Sequence, residues 1–275
     1  MIRGLYTAAS GMVSGLRMQA TVAENLANMG TPGFKGERSS LQEFSGVLAT
    51  RQGQSGTPSP MSANRSLGRV GTGAYLESRE TVLAEGSERR TDLPLDVMIR
   101  GEGFFTIQTD DGVRYTRDGH FGRDATNTLV SSDGFPVLDA AGQPITVTSD
   151  NVRMLPTGEI LQTVAQTVTL PGGAEAIKVT EVEVGRLSAV ILQQEDLVRA
   201  GGSRFTLAPG GTAAAADLGT TTVFIQGSVE GTNVDIADTS TQMMSLARAY
   251  QASQHVFTTL NDTLQLAVRD IGKVG

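Results

Sequence analysis

The sequence predicts an α+β protein: long terminal heptad helices that pair, coiled-coil-like, flanking a central antiparallel β-rich domain. Three observations carry that expectation. Apolar and small residues recur in heptads at both ends, short strand-like runs separated by Asp-Gly turns fill the middle, and the composition is poor in charge. Charged residues are 19% of 275 and glycines number 33, a mixture that suits a turn-rich β domain better than a dense α/β enzyme.

The first element spans residues 1–35. Ile2, Leu5, Ala9, Met12, Leu16, Ala23 and Leu26 advance by three or four residues, with one step of seven across Gln19. That spacing keeps one stripe on one helix face. Asn28 and Gly30 accept left-handed backbone angles and Pro32 cannot continue a helix, so the helix ends there. Residues 36–75 are expected to be an extended connecting stretch. Within it, residues 50–66 are polar and rich in Gly, Ser and Pro, with no period, and read as a loop.

Residues 76–228 form the expected β domain. Phe104–Thr109 precedes Asp110-Asp111-Gly112, Val113–Arg117 precedes Asp118-Gly119, and Leu129–Ser131 precedes Asp133-Gly134. Further runs are Phe135–Leu138, Ile145–Thr148, Ile160–Val164 and Ile177–Leu192, the last interrupted near Gly185. Strands with Asp-Gly turns at this spacing indicate antiparallel hairpins. Residues 208–222, rich in Ala, Gly and Thr, read as a surface loop.

The last element spans residues 229–275. Ile236, Met243, Tyr250, Phe257, Leu264 and Ile271 fall every seven residues, and Leu246, Leu260 and Ala267 follow three behind their partners. Asn233, Asp235 and Asp238 suit the start of a helix, where their oxygens accept free N–H groups. Helices of about 27 and 36 residues would be roughly 40 and 54 Å long. Two packings satisfy such stripes: amphipathic helices lying on the central domain, or helices coiled on each other and on neighbouring subunits. Charge favours the second. Arg3, Arg17 and Glu24 are the only charges in the first 30 residues, whereas a solvated helix carries more on its outer face.

Composition excludes several function classes. With no Cys and only His120 and His255, thiolate metal sites, cysteine nucleophiles and His-rich metal sites are out. Net charge is −7, against the basic surface that nucleic acid needs. No run approaches 18 apolar residues, so no membrane-spanning helix is expected. The apolar N-terminus is broken by Thr7, Ser10, Ser14 and Arg17 and does not read as a secretory signal.

The motifs that touch on chemistry are turns. Gly101-Glu102-Gly103 lacks the third glycine and following helix of a dinucleotide site. Asp110-Asp111-Gly112 and Asp118-Gly119 lack the alternating ligands and closing Glu of a calcium loop. His120 has no serine in a nucleophile-elbow context, and Met243-Met244 reads as adaptable packing. No catalytic, cofactor-binding or metal residue is expected, and no cofactor.

Three stretches together resemble the flagellar axial proteins, in particular basal-body rod proteins of the proximal-rod and distal-rod type. Asn25-Leu26-Ala27-Asn28-Met29-Gly30-Thr31-Pro32-Gly33-Phe34-Lys35 resembles that family's N-terminal signature. Leu95-Asp96-Val97, Gly103-Phe104-Phe105, Tyr115-Thr116-Arg117-Asp118-Gly119, Leu129-Val130 and Asp133-Gly134-Phe135-Pro136-Val137-Leu138 are similar to its β core. Glu230-Gly231-Thr232-Asn233-Val234-Asp235 and Ala247-Arg248-Ala249-Tyr250-Gln251-Ala252 resemble the approach to its C-terminal helix and the helix itself.

The resemblance implies a non-enzymatic structural subunit of the bacterial flagellar basal-body rod. Such a subunit polymerises through its terminal helices into a helical tube that passes torque to the hook. The implied assembly interface comprises Ile2, Leu5, Met12, Leu16, Ala23 and Leu26 with Ile236, Met243, Leu246, Tyr250, Phe257, Leu260 and Leu264. Asn25, Asn28, Gly33 and Phe34 would shape the helix exit. Implied partners are the chain itself, other rod and hook proteins and the flagellar type III export apparatus, which would carry it from the cytoplasm to the cell envelope. One β domain fits a proximal or a distal rod rank, or the paired rod-like proteins of Gram-positive bacteria; Glu230-Gly231 leans to the proximal and Gly71-Thr72-Gly73 to the distal. The rival reading is a secreted β-rich binding or enzymatic domain with oligomerising ends.

Overall fold

The computed structural model describes residues 2–44, 47–51, 65–70, 73–149, 151–169 and 175–271. Two long helices bracket a β-rich region, an α+β organisation. Helix α1 is Ile2–Ala27 and helix α2 is Ile236–Ile271, close to the lengths that the heptads set. The strands are β1 Glu37–Glu43, β2 Val47–Arg51, β3 Arg65–Val70, β4 Ala74–Thr81, β5 Glu88–Arg90, β6 Val97–Gly101 and β7 Phe105–Thr109. They continue with β8 Gly112–Thr116, β9 Phe121–Arg123, β10 Leu129–Ser131, β11 Val152–Met154, β12 Glu159–Thr169 and β13 Glu175–Arg186. The last six are β14 Val190–Leu192, β15 Leu197–Arg199, β16 Arg204–Leu207, β17 Ala213–Ala215, β18 Thr222–Gln226 and β19 Ser228–Glu230.

The chain divides into two compact units. Unit 1 holds Met1–Leu26, Glu37–Glu80 and Asp235–Gly275; unit 2 holds Ala27–Gly36 and Thr81–Val234. Residues 36–75, expected as an extended connection, carry paired strands: β1 with β4, and β2 with β3 antiparallel. Most of the 50–66 loop assignment lies outside the described residues.

In unit 1, Asp235 starts α2, its Oδ1 accepting from the N–H of Ala237 at 2.8 Å and of Asp238 at 3.0 Å. That satisfies two of the free donors at a helix start. Ser14, buried on α1, donates to Ala74 O of β4 at 2.9 Å. Ser39 of β1 donates to Thr21 Oγ1 at 3.0 Å.

In unit 2 the hairpin β7–β8 turns at Asp110-Asp111 as the sequence predicts, and extends to a four-stranded order β15-β16-β8-β7. The alternation of Phe105 and Ile107 (buried) with Gln108 (exposed) is the period-2 pattern of a half-buried strand. Long-range pairings close the unit: β18 runs antiparallel to β6, with Phe224 opposite Ile99, and β19 to β5. The core between these layers includes Val97, Ile99, Phe105, Ile107, Leu129, Val137, Ile160 and Leu187. Phe105 contacts Phe121 edge-on at 4.9 Å and stacks on Phe224 at 5.9 Å. Each such side chain contributes about 1.5–3 kcal/mol by leaving water.

Two expectations change and one holds. Phe135–Leu138 and Ile145–Thr148 make isolated bridges such as Val130 with Pro136 and Leu138 with Pro144, because Pro136 and Pro144 have no N–H to extend a ladder. Residues 208–222 are not all loop: Ala213–Ala215 pairs with Val190–Leu192 as β17 on β14. The interruption expected near Gly185 in the run 177–192 is present, with β13 ending at Arg186 and β14 beginning at Val190.

Candidate functional site

Each unit carries one candidate surface. In unit 1 the half-buried positions of α2 beyond Thr241 are Met243, Leu246, Ala247, Tyr250, Ser253, Phe257, Leu260, Leu264 and Ala267. Ala247 aside, they form two series spaced by seven, so the sequence stripe is the partly covered face. Gly4 and Gly11 of α1 meet that face. A β-carbon at Gly4 would lie 3.1 Å from Leu260 Cδ1, and one at Gly11 would lie 3.7 Å from Ser253 Oγ. Moving seven residues forward in α1 moves the contact seven back in α2, which is an antiparallel relation.

On α1, Leu5, Met12, Ala23 and Leu26 are half-buried. Leu16 is 49% exposed, and Ile236 at the start of α2 is 56% exposed. The side chain of Ile2 lies outside the described residues. Tyr6 and Val13, which lie off the predicted stripe, are exposed at 71% and 51% and line an open groove with Arg17, Phe44, Tyr75 and Leu76. Phe44 and Tyr75 contact one another at 5.2 Å. Among the described residues the outer face of α1 is therefore largely apolar and about half exposed or more.

Unit 2 gathers the helix-exit residues. Gly33 has φ +65°, and a β-carbon there would lie 2.2 Å from Asp118 N, so only glycine fits. Phe34 is fully buried, with the Arg199 guanidinium 4.6 Å over its ring. Asn28 O accepts from the Thr31 N–H at 3.0 Å, closing the turn that follows α1. Asn25, back in unit 1, bonds both backbone groups of Glu37.

Beside Phe34 lies a charge cluster that sequence reasoning missed. Lys35 Nζ donates to Glu230 Oε1 at 2.5 Å and to Ala84 O at 2.8 Å. Arg117 Nη1 donates to Glu230 Oε2 at 3.2 Å, and its Nη2 to Gly101 O at 2.8 Å. The Gly86 N–H donates to Glu230 Oε1 at 2.8 Å. Burial pushes the Lys35 amine below its ordinary pKa, with Glu230 pulling it back up. Gly-Phe-Lys, Thr-Arg-Asp and Glu-Gly were each legible as motifs. Their meeting was not, because the partners stand 195 and 113 residues apart.

His120 Nδ1 lies 2.7 Å from Asp96 Oδ1, the carboxylate buried and the imidazole half exposed. Asp118 accepts from the His120 N–H at 2.9 Å and from the Ser132 hydroxyl at 2.6 Å. Burial raises the Asp118 pKa above the ordinary aspartate value. Among the described residues no group of three or more His, Asp or Glu is placed to hold a metal ion, and no helix is long and apolar enough to cross a membrane.

The chain matches three family models: Flagella basal body rod protein over residues 5–35, Flagellar hook protein FlgE/F/G D1 domain over 98–185, and Flagellar basal body rod FlgEFG protein C-terminal over 225–269. It is 30% identical to flagellar basal-body rod protein FlgG of Bacillus subtilis, over 96% of this chain and 97% of that protein. It is 30% identical to FlgG of Borreliella burgdorferi, over 97% and 98%. It is 28% identical to the flagellar hook-basal body complex protein FlhO of Bacillus subtilis, over the whole of both chains.

Proposed function

The chain belongs to the flagellar basal-body rod protein family, and from that premise we propose that it polymerises through its terminal helices into the tube of the rod. It is a structural subunit of the flagellar basal body and not an enzyme, as its full-length relatives are rod proteins. Its neighbours in the polymer are copies of itself and other axial proteins of rod and hook. Heterologous contacts that do not close on themselves generate helical filaments, and torque then passes from subunit to subunit through them. Delivery through the flagellar type III export apparatus belongs to the same reading.

In this assignment residues 1–35 and 229–275 supply the axial helices and their exits, 36–75 the connecting stretch, and 76–228 the central β domain. The helices pair as an antiparallel coiled coil, for which the Gly4–Leu260 and Gly11–Ser253 approaches give the register. The predicted interface residues from Ile2 to Leu26 and from Ile236 to Leu264 divide between that pairing and the contacts with neighbouring subunits. The observation that carries the proposal is the outer face of α1: Tyr6, Val13 and Leu16 are all about half exposed or more, on a helix almost free of charge. An apolar face of that kind belongs against another surface. A secreted binding or enzymatic domain with oligomerising ends is not favoured, since the similarity to rod proteins runs over the whole chain.

Hydrogen exchange on the purified monomer and on assembled hook–basal bodies tests this. The helices of the monomer exchange fast while residues 97–138 are protected, because an isolated helix pair lacks its packing. In the particle both helices become protected. Helices equally protected in monomer and particle would refute polymerisation through them.

A further inference from the structure

We infer that Glu230 is a latch that pins the segment entering unit 2 to the segment leaving it, and that this latch opens as one cooperative piece while the β core stays folded. Three segments meet at it. From the entering segment, the Gly33 N–H donates to Glu230 O at 2.8 Å, Lys35 reaches Glu230 Oε1, and the Gly36 N–H donates to Asn233 Oδ1 at 2.8 Å. From the leaving segment, the Gly231 N–H donates to Ser87 O at 2.7 Å and Asn233 Nδ2 to Val82 O at 2.7 Å. Residues 82–88 lie between, returning the Gly86 N–H to the Glu230 carboxylate and the Val82 N–H to Gly36 O at 2.8 Å. Gly86 and Gly231 are so close that a β-carbon on Gly86 would lie 1.9 Å from Gly231 O.

The latch is built differently from the core. Neither apolar cluster of unit 2 contains any residue of 33–36 or 228–233. Beside the β19–β5 ladder and the buried Phe34 and Val229 side chains, the three segments share a polar network centred on one side chain. That network is also short of negative charge: the buried carboxylate faces two buried cations, with side-chain exposures of 0% for Glu230, 1% for Lys35 and 6% for Arg117. Removing the buried carboxylate would leave both buried cations with only the exposed Glu85 near Lys35 to offset them, a larger penalty than losing either cation. Burial already weighs against the charged form of Lys35, and Arg117 adds to that. Lys35 is thus the member whose loss the latch tolerates.

The test is a double-mutant cycle in the full-length chain with Glu230→Gln, Lys35→Met and the pair together, read by amide exchange. In Glu230→Gln the amides of Gly33, Gly36, Gly86 and Gly231 exchange on the order of a hundredfold faster, together. The amides of Val137 and Leu138, bonded within the core to Leu129 O and Thr106 O, keep their rates. Lys35→Met changes the four latch amides by less than about tenfold, and the double variant exchanges more slowly than Glu230→Gln because one stranded cation is gone. Core amides that accelerate as much as the latch amides, latch amides that respond one at a time, or a double variant no slower than Glu230→Gln would each overturn the inference. If Glu230→Gln does not fold, Lys35→Met alone decides: acceleration of the latch amides by a hundredfold contradicts the charge argument, and near-native rates uphold it.

Discussion

Asn25 and Glu37 hold each other through both backbone groups of Glu37. Asn25 Nδ2 donates to Glu37 O at 2.8 Å, and the Glu37 N–H donates to Asn25 Oδ1 at 2.9 Å. The side-chain amide thus stands in for a neighbouring strand and ties the end of α1 to the start of β1. Asn25→Ala removes both of these hydrogen bonds in a largely buried place and costs about 1–3 kcal/mol. Asn25→Asp keeps an acceptor but loses the donor, and falls between. Thermal unfolding ranks the three proteins, and equal melting temperatures for wild type and Asn25→Ala would show that the pair is idle.

Gly33 and Gly30 make a matched comparison. Gly33→Ala forces a β-carbon to 2.2 Å from Asp118 N in a left-handed backbone conformation, whereas Gly30→Ala meets nothing within 4 Å. Gly33→Ala is expected to destabilise by more than about 3 kcal/mol, and Gly30→Ala to leave stability within about 0.5 kcal/mol. Denaturant unfolding measures both. Similar values for the two variants would remove the steric argument.

At the start of α2, Asp235→Ala removes the acceptor of two free N–H groups and a negative charge from the helix N-terminus. The cost is about 0.5–2 kcal/mol. It appears as faster exchange of the Ala237 and Asp238 amides with little change in unit 2. Asp235→Asn, which still caps, restores most of the loss.

Asp118 gives a pH dependence of defined sign. Its folded-state pKa is raised, mainly by burial, above the ordinary 3.8. Its contribution is therefore fully present below the unfolded value and falls away as pH rises through the folded value. Asp118→Asn does not titrate, so its melting temperature relative to wild type is higher at pH 7 than at pH 3, whatever constant offset the changed hydrogen bonds with Ser132 introduce. A relative stability that is the same at both values, or lower at pH 7, would contradict the raised pKa.

The helices were legible because their signal is local: Ile2 to Leu26 and Ile236 to Ile271 show the period, and Asn28, Gly30, Pro32 and Asp235 mark the ends. The hairpin at Asp110-Asp111-Gly112 was legible for the same reason. Pairings between distant strands were not. Nothing in Ala213–Ala215 announces a strand until Val190–Leu192 lies beside it, and a short Ala run has no side-chain alternation to read. Pro136 and Pro144 hid the opposite way, in runs apolar enough to suggest strands while lacking the N–H that a ladder needs. The Glu230 cluster was illegible because ordinary charged residues become a site only when burial brings them together. Lys35, Arg117 and Glu230 each sit within a motif that the family resemblance had already picked out, so the missing step was geometric.

Assembly through the exposed face of α1 is open to a direct test by substitution. Leu16→Asp places a carboxylate at a position that is 49% exposed, so the free chain keeps its fold, with its stability unchanged within about 0.5 kcal/mol. Val198→Asp, on β15 and 47% exposed, is the control in unit 2. Each variant replaces the wild-type chain in the source organism, and mass spectrometry counts it in purified hook–basal bodies. The account predicts that Leu16→Asp is absent from the particles and the cells do not swim, while Val198→Asp is incorporated at the wild-type level. Normal incorporation of Leu16→Asp, with normal swimming, would contradict it.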